Sequence, residues 1–499
     1  MNLYFTGHQE KYAVEQTMLT LFPQERPVYP DPAVTPPGGD NALELQFTRR
    51  PSWCTARAVL RREGKVYSRM CRVRTAALPA DDPVVATRLT RRTLQRAFYL
   101  AAIDCLGKEP PWGMLSGVRP VKLPTRAMEE GGTPRQAEAM LKHYHVSPVR
   151  RQLAMDCAQA SLAVKRSLQP EEISLYVGIP FCPTRCAYCS FVSQSVERSF
   201  SLVEPYVKAL IAEIRSGGDM VRSNRLRPRA FYMGGGTPGI LTPDQMDAIL
   251  TALEESFDLS ACPELTVEAG RPDTITAEKL AVLKSHGVTR VCVNPQTMED
   301  HVLAAIGRRH ASADTVRAME LVRTYRFPHV NMDLIAGLPA DTPEGFRRSL
   351  DKCLELGADD ITIHTLALKK GSRILMEGLS IPDGAAVQAM LDYAAPTLRA
   401  AGFVPYYLYR QKYMSGSFEN VGWSRPGGEC WYNVDIMSEL CSILSFGAGG
   451  STKMVEPGTN HIERVFNLKY PKEYTERPEK IQQNQAAFAE FYQKYVPET

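Results

Sequence analysis

Three thiols fall within eight residues, in the run Cys182-Pro-Thr-Arg-Cys186-Ala-Tyr-Cys189. Thiolates this close together are the donor set of a soft transition metal or an iron–sulfur cluster. A structural zinc site would take a fourth Cys or His nearby, and the nearest candidates, Cys157 and Cys262, have no paired spacing. Three protein ligands on a four-iron cluster leave one iron open, and an open iron can bind a reactant.

A second run, Met233-Gly234-Gly235-Gly236-Thr237-Pro238, lets the backbone approach a ligand closely and present its amide dipoles. It lacks the Lys and the Gly-Lys-Ser/Thr ending of a phosphate-binding P-loop. Further polar or small residues fall where predicted strands end: Glu268, Gln296, Asp333 and Ala367.

The elements that must position these residues alternate from residue 173 onward. Strands are predicted at 173–179, 230–233, 264–268, 288–293, 330–335 and 360–366. Helices are predicted at 205–220, 242–256, 276–286, 311–325, 342–356 and 385–401, with Thr242 as a cap and Pro243 at the first helical position. Six such units require a parallel sheet covered by helices. Chemistry collects at the C-terminal strand ends in a barrel and in a doubly wound sheet alike; a partial or full barrel is the natural solution.

Before this repeat, weak strand signals at 42–48 and 57–74 flank a turn at Gly64-Lys65, and helices are predicted at 81–106 and 151–166. After residue 400 the repeat ends. Tyr406, Tyr407 and Tyr409, Gly427-Gly428, Trp431 and the run 446–450 suggest loops and helices that cap or extend the barrel. The expected organisation is an N-terminal α+β accessory domain at 1–165, a (β/α) barrel at 166–400 and a C-terminal domain at 401–499.

At 499 residues, with 44% apolar and 23% charged residues, the chain is too long for one ordinary core and too apolar for dominant disorder. Residues 1–170 carry 25 Lys and Arg against 15 Asp and Glu, so the first third favours an anionic partner. There is no glycine-aromatic RNA-recognition signature, and nucleic acid is not expected as a partner. Twelve cysteines are too few for a secreted disulfide scaffold, and neither a secretory signal nor a membrane span is evident, so the expected location is cytoplasmic.

The Cys-x3-Cys-x2-Cys spacing, with Tyr188 before the last cysteine, resembles the signature of radical S-adenosylmethionine (SAM) enzymes. The resemblance extends to the branch of oxygen-independent coproporphyrinogen III oxidases and heme chaperones. It covers roughly 170–450: the runs 176–182 (Tyr-Val-Gly-Ile-Pro-Phe-Cys), 234–238, 290–296, 306–310 (Ile-Gly-Arg-Arg-His) and 333–339 (Asp-Leu-Ile-Ala-Gly-Leu-Pro), with Glu268. The runs 117–122, 419–422 and 446–449 resemble the longer coproporphyrinogen dehydrogenase-like proteins of anaerobic and Gram-positive bacteria.

That resemblance implies an α/β fold, a partial (β/α)6 radical SAM barrel with an N-terminal α+β domain and a small C-terminal extension. Cys182, Cys186 and Cys189 would hold a 4Fe-4S cluster whose open iron chelates SAM, with one or two SAM molecules per chain. Tyr176, Tyr188, Gly235, Gly236, Thr237, Glu268, Gln296, Arg308, Asp333 and Ala367 would line the cofactor region. The implied reaction removes hydrogen and CO2 from two propionates of coproporphyrinogen III, giving protoporphyrinogen IX for heme biosynthesis. A one-electron donor such as flavodoxin or ferredoxin would supply the cluster. Arg119, Lys122, Arg309 and Lys370 are candidates to meet the four substrate carboxylates. One departure bears on the substrate: the oxidase branch typically has a fourth cysteine where this chain has Phe191, which is closer to the heme-chaperone pattern. The alternatives are therefore a heme-binding chaperone or another radical reaction on a tetrapyrrole.

Overall fold

A computed structural model describes residues 1–31, 37–189, 194–369, 371–411, 418–459 and 461–495. The chain divides into two compact units, 1–118 with 126–152, and 119–125 with 153–499.

In the first unit, strands β1 (Asn2–Thr6), β2 (Ala42–Arg49), β3 (Trp53–Arg62) and β4 (Lys65–Arg74) form a sheet in that order. β1 runs parallel to β2, and the rest are antiparallel. β3 and β4 are joined by Glu63 and Gly64, both at positive φ, the two-residue turn whose twist matches a hairpin. The helix Pro83–Leu106 starts on Asp82, whose side chain accepts from the Val85 amide at 2.9 Å, and stops at Gly107 in the left-handed conformation. Its buried Leu94, Ala97, Phe98 and Ala101 pack with Leu43, Leu45, Ala56, Ala58 and Leu60, so one face of the sheet is core.

The second unit is built on β5 (Glu172–Ile179), β6 (Arg227–Gly235), β7 (Glu264–Gly270), β8 (Arg290–Val293), β9 (His329–Ala336) and β10 (Asp360–Thr365). All six are parallel, and each lies beside its predecessor in the chain. A doubly wound sheet reverses its order part-way across; this one does not, which makes it the (β/α)6 barrel sheet. The strands are buried on both faces, Ile173, Leu175, Val177 and Ile179 on one side of β5 and Ser174 and Gly178 on the other, because helices cover one side and the barrel interior the other. Thr242 and Thr342 cap helices that begin with Pro243 and Pro343, a pre-set entry that costs no backbone hydrogen bond.

The region after 400 corrects the sequence reading. It contributes strands as well as helices: β11 (Val404–Tyr409) and β12 (Asn420–Ser424) add antiparallel beyond β10, while β13 (Ile443–Phe446) pairs parallel with β5 and carries β14 (Ser451–Val455) and β15 (Ile462–Phe466). Among the described residues the sheet thus has eleven strands, and β5 and β10 do not pair with each other, each being flanked instead by a strand from beyond residue 400. The continuous apolar run at 404–408 carries no alternation because it is buried from both sides, which hides a strand from a period-two search. Among the described residues no helix is long and apolar enough to cross a membrane.

Candidate functional site

A cavity of about 360 Å³ opens at the C-terminal ends of β5 to β10. It is lined by Cys182, Cys186 and Cys189, and by Tyr188, Gly235, Gly236, Thr237, Glu268, Gln296, Arg308, Asp333 and Ala367. Residues separated by up to 185 positions in the chain are therefore gathered at one site.

The cysteine loop leaves β5 and is fastened by backbone bonds. The Ala187 amide donates to the Ile306 carbonyl at 2.9 Å, the Ile374 amide to the Ala187 carbonyl at 3.3 Å, and the Cys189 amide to the Cys186 carbonyl at 3.1 Å. Arg308, buried, donates to the Asn294 carbonyl at 2.5 Å and to the Tyr188 hydroxyl at 3.1 Å. Burial works against its charge, but the Tyr188 hydroxyl and the Cys186 thiol beside it hold the guanidinium protonated more firmly than usual.

The glycine turn is shaped by close approach. The Gly236 and Thr237 amides donate to the Ile179 and Phe181 carbonyls at 2.7 and 2.8 Å. A Cβ on Gly236 would lie 2.5 Å from the Phe181 carbonyl oxygen and 3.0 Å from the Cys182 Sγ, and Gly235 sits at φ +107°. Both positions need glycine. Across the cavity, Gln296 adopts φ +70°, held there because its backbone bridges β9: its amide donates to Asp333 and its carbonyl accepts from Ile335 at 2.9 and 3.0 Å. Left-handed backbone at a non-glycine residue persists where the surroundings over-determine it, and such sites cluster at ligands.

The two carboxylates differ. Burial pushes Glu268 up to about 7, the Asp333 charge adds to this, and a hydrogen bond from the Tyr232 hydroxyl only partly offsets it. Burial also raises Asp333, yet His364 and the Asn331 amide, which donates to it at 2.9 Å, outweigh burial and leave its carboxyl below the usual range. One site therefore holds a carboxyl that titrates near neutrality beside one that stays ionised.

The other predicted residues lie elsewhere. Tyr176 stacks with Tyr232 and Tyr432, ring centroids 6.4 and 5.9 Å away, behind the cavity wall. Arg119 and Lys122 both pair with Glu439, and Arg309 is exposed and pairs with Glu197 at 2.6 Å; none of the three lines the cavity. Lys370 and Phe191 lie outside the described residues. Sequence reasoning missed Tyr232, His364, Asn331, Arg185 and Lys369, which all line the cavity. Tyr232, Asn331 and His364 lie on strands and were legible as polar side chains inside predicted apolar strands. Arg185 lies between two of the cysteines and Lys369 beside the chosen Lys370, where spacing alone gives no preference.

The sequence profile of the radical SAM superfamily matches residues 176–353. Over 372 residues, 73% of this chain and 74% of the relative, it is 38% identical to the oxygen-independent coproporphyrinogen-III oxidase-like protein HemZ of Bacillus subtilis (strain 168). The chain belongs to the radical SAM superfamily. Within it, the chain falls in the oxygen-independent coproporphyrinogen-III oxidase-like family. It is also 30% identical to the heme chaperone HemW of Bacillus subtilis (strain 168), over 60% of this chain and 77% of that one. The solved coproporphyrinogen III oxidase HemN of Escherichia coli shares the fold, with TM-score 0.52, 22% identity, and coverage of 66% of this chain and 73% of that one.

Membership of the radical SAM superfamily implies a 4Fe-4S cluster and SAM, and the cavity fits such occupants. The buried Nε of Arg308 and Oδ1 of Asn294, both in cavity-lining residues, find no hydrogen-bond partner among the described residues, an arrangement that a polar ligand would satisfy. Among the described residues, no three His, Cys, Asp or Glu side chains crowd together as ligands of one ion would. Three thiols on one loop are the donor chemistry of the iron–sulfur cluster that the superfamily implies. In the radical SAM assignment, Cys182, Cys186 and Cys189 would hold the cluster. Gly235, Gly236, Gln296 and Arg308 would frame SAM.

Proposed function

We propose that the chain carries out SAM-dependent oxidative decarboxylation of two propionates of coproporphyrinogen III, giving protoporphyrinogen IX. The observation that carries this reading is the pairing of the three-cysteine wall with two of the cations that line the same cavity, Arg185 and Lys369. Arg185 is exposed, Lys369 is half-buried, and neither makes an ion pair among the described residues. A substrate with four carboxylates needs such groups, and a guanidinium can grip one carboxylate with two parallel hydrogen bonds. The similarity to the coproporphyrinogen-III oxidase-like relative supports the same substrate class.

When bound, the cluster and SAM would supply one-electron chemistry able to take hydrogen from an unactivated carbon. The chain's own residues then position and shield. Arg185 and Lys369 fix the propionates, so that one side-chain carbon is presented to the cofactor region. Tyr406, Tyr407 and Tyr409 give the opposite wall a largely apolar surface for the macrocycle and exclude water. Each propionate gives up a hydrogen atom, one electron and CO2, leaving a vinyl group; the electron passes to a one-electron acceptor.

A second reading, a heme-binding chaperone, is favoured by the similarity to HemW and by the Cys-x3-Cys-x-Tyr-Cys-x-Phe pattern at 182–191. Anaerobic reconstitution, then incubation with reductant, SAM and coproporphyrinogen III, separates the two. The proposed reaction yields protoporphyrinogen IX and 5'-deoxyadenosine together. Stoichiometric heme binding without decarboxylation would overturn it in favour of the chaperone.

A further inference from the structure

The sheet of the first unit buries only one face. Alternation puts Trp53, Thr55, Arg57, Val59 and Arg61 of β3 on the other, and the register sets Trp53 against Arg74, Thr55 against Arg72, Arg57 against Met70 and Arg61 against Val66. Trp53 is 42% exposed, Met70 52% and Val66 62%, so no other part of the described chain covers this face. β3 and β4 together carry seven Lys and Arg and no Asp or Glu. Arg61 pairs with Glu44 of β2, whereas Arg57, Arg72 and Arg74 make no ion pair among the described residues. The Arg74 guanidinium lies over the Trp53 ring, 5.7 Å from its centroid.

Cations on β4 alone would have a plain explanation, since charge on an edge strand discourages pairing with another chain. Arg57 and Arg61 lie on β3, which has a neighbour on each side, so edge protection does not account for them. We infer that the open face of this sheet is a docking surface for single-stranded RNA. Three unpaired guanidiniums meet phosphates, Trp53 with the guanidinium over it stacks a base, and Met70 and Val66 extend the platform. Gln46, Thr55 and Ser68 share the face and supply the neutral donors and acceptors that a 2′-hydroxyl needs and DNA lacks. Along the chain these cations appear only as the basic excess of the first third, with no RNA-recognition signature; pairing β3 with β4 gathers them on one face.

The test is fluorescence anisotropy of the full chain with a labelled single-stranded RNA of about 20 nucleotides, its DNA counterpart and coproporphyrin III, from about 50 to 200 mM salt. The RNA is expected to bind with a log–log salt slope of about −2, and the DNA more weakly. The triple variant Arg57→Glu, Arg72→Glu, Arg74→Glu should lose at least about tenfold in affinity and most of that slope. Trp53→Ala, which leaves the charges in place, should abolish the quenching of tryptophan emission by RNA. The control Arg126→Glu, Arg135→Glu, Lys142→Glu, an equal charge change on helices of the same unit, should keep wild-type affinity. Equal losses in both triple variants, DNA binding as tight as RNA, or no RNA affinity at the lowest salt would each overturn the inference. So would coproporphyrin binding that is lost with the same strand reversals while RNA does not bind.

Discussion

Arg308 ties the hydroxyl of Tyr188, between the second and third cysteines, to the carbonyl of Asn294, just past β8, at 3.1 and 2.5 Å. The loop that carries the thiols is thereby held against the barrel by a side chain from a different β/α unit. Replacing Arg308 with Ala leaves a buried carbonyl and hydroxyl without their donor, at a cost of about 2–4 kcal/mol. Denaturant unfolding of the Arg308→Ala protein should show this loss. Iron retained after anaerobic reconstitution should fall with it, and Arg308→Lys should recover only part of both. Unchanged iron retention would remove Arg308 from the positioning of the loop.

Gly236 faces the backbone of the first turn so closely that even a methyl group displaces it. Gly236→Ala should weaken SAM binding at least about tenfold while leaving the rest of the barrel folded, since the shift falls on the glycine turn and on the Phe181 and Ile179 carbonyls at the end of β5. Equilibrium dialysis with SAM, beside a circular dichroism melt, reads the two effects separately. Wild-type SAM affinity would contradict the cradle assigned to this turn.

The Glu268 carboxyl, raised from 4.5 to about 7 by burial, links stability to pH. Between those values the folded chain keeps a proton that the unfolded chain releases, so stability falls as pH rises through this window and levels off above it. The ceiling is about 3 kcal/mol. Glu268→Gln removes the titration. Unfolding free energies at pH 5 and pH 8 should therefore show the variant gaining on the wild type by about 1–3 kcal/mol at the higher pH. The same difference at both pH values would contradict the raised carboxyl.

Arg185→Ala combined with Lys369→Ala should raise the KM for coproporphyrinogen III by about tenfold or more while SAM cleavage in the absence of substrate persists. An unchanged KM would leave substrate recognition to other groups. Arg119 and Lys122 serve as the contrast. Glu439, 6% exposed at its side chain, is bound by both and held down to about 2 by them against the effect of burial. Their removal should register as lost stability at neutral pH, the loss fading as pH falls from 4.5, where the unfolded chain takes up the proton, to about 2, where the folded chain does, without a change in KM.

The parts of the site that obey a local rule were legible in the sequence. Cys182, Cys186 and Cys189 declare themselves by spacing, Gly235 and Gly236 by their run, and the barrel by six apolar strands alternating with helices that Thr242 and Thr342 cap. Glu268, Gln296 and Asp333 were legible because polar residues at the ends of buried strands need a reason. Long-range pairing was not. Nothing local tells that Lys122 meets Glu439, 317 positions away, or that Val404–Tyr409 joins the sheet through β12. Arg119, Lys122 and Arg309 fall away from the cavity for this reason, because a basic residue has no periodicity and only the folded chain decides which acid it finds.

The account depends on a cluster with one iron left for SAM. The most direct measurement is the electron paramagnetic resonance spectrum of the reduced, reconstituted protein before and after SAM, beside its iron content. The wild type should hold about four irons per chain and its signal should change shape on adding SAM, while Cys186→Ala should lose both the iron and the signal. Wild-type iron in Cys186→Ala, or a cluster signal indifferent to SAM, would contradict it.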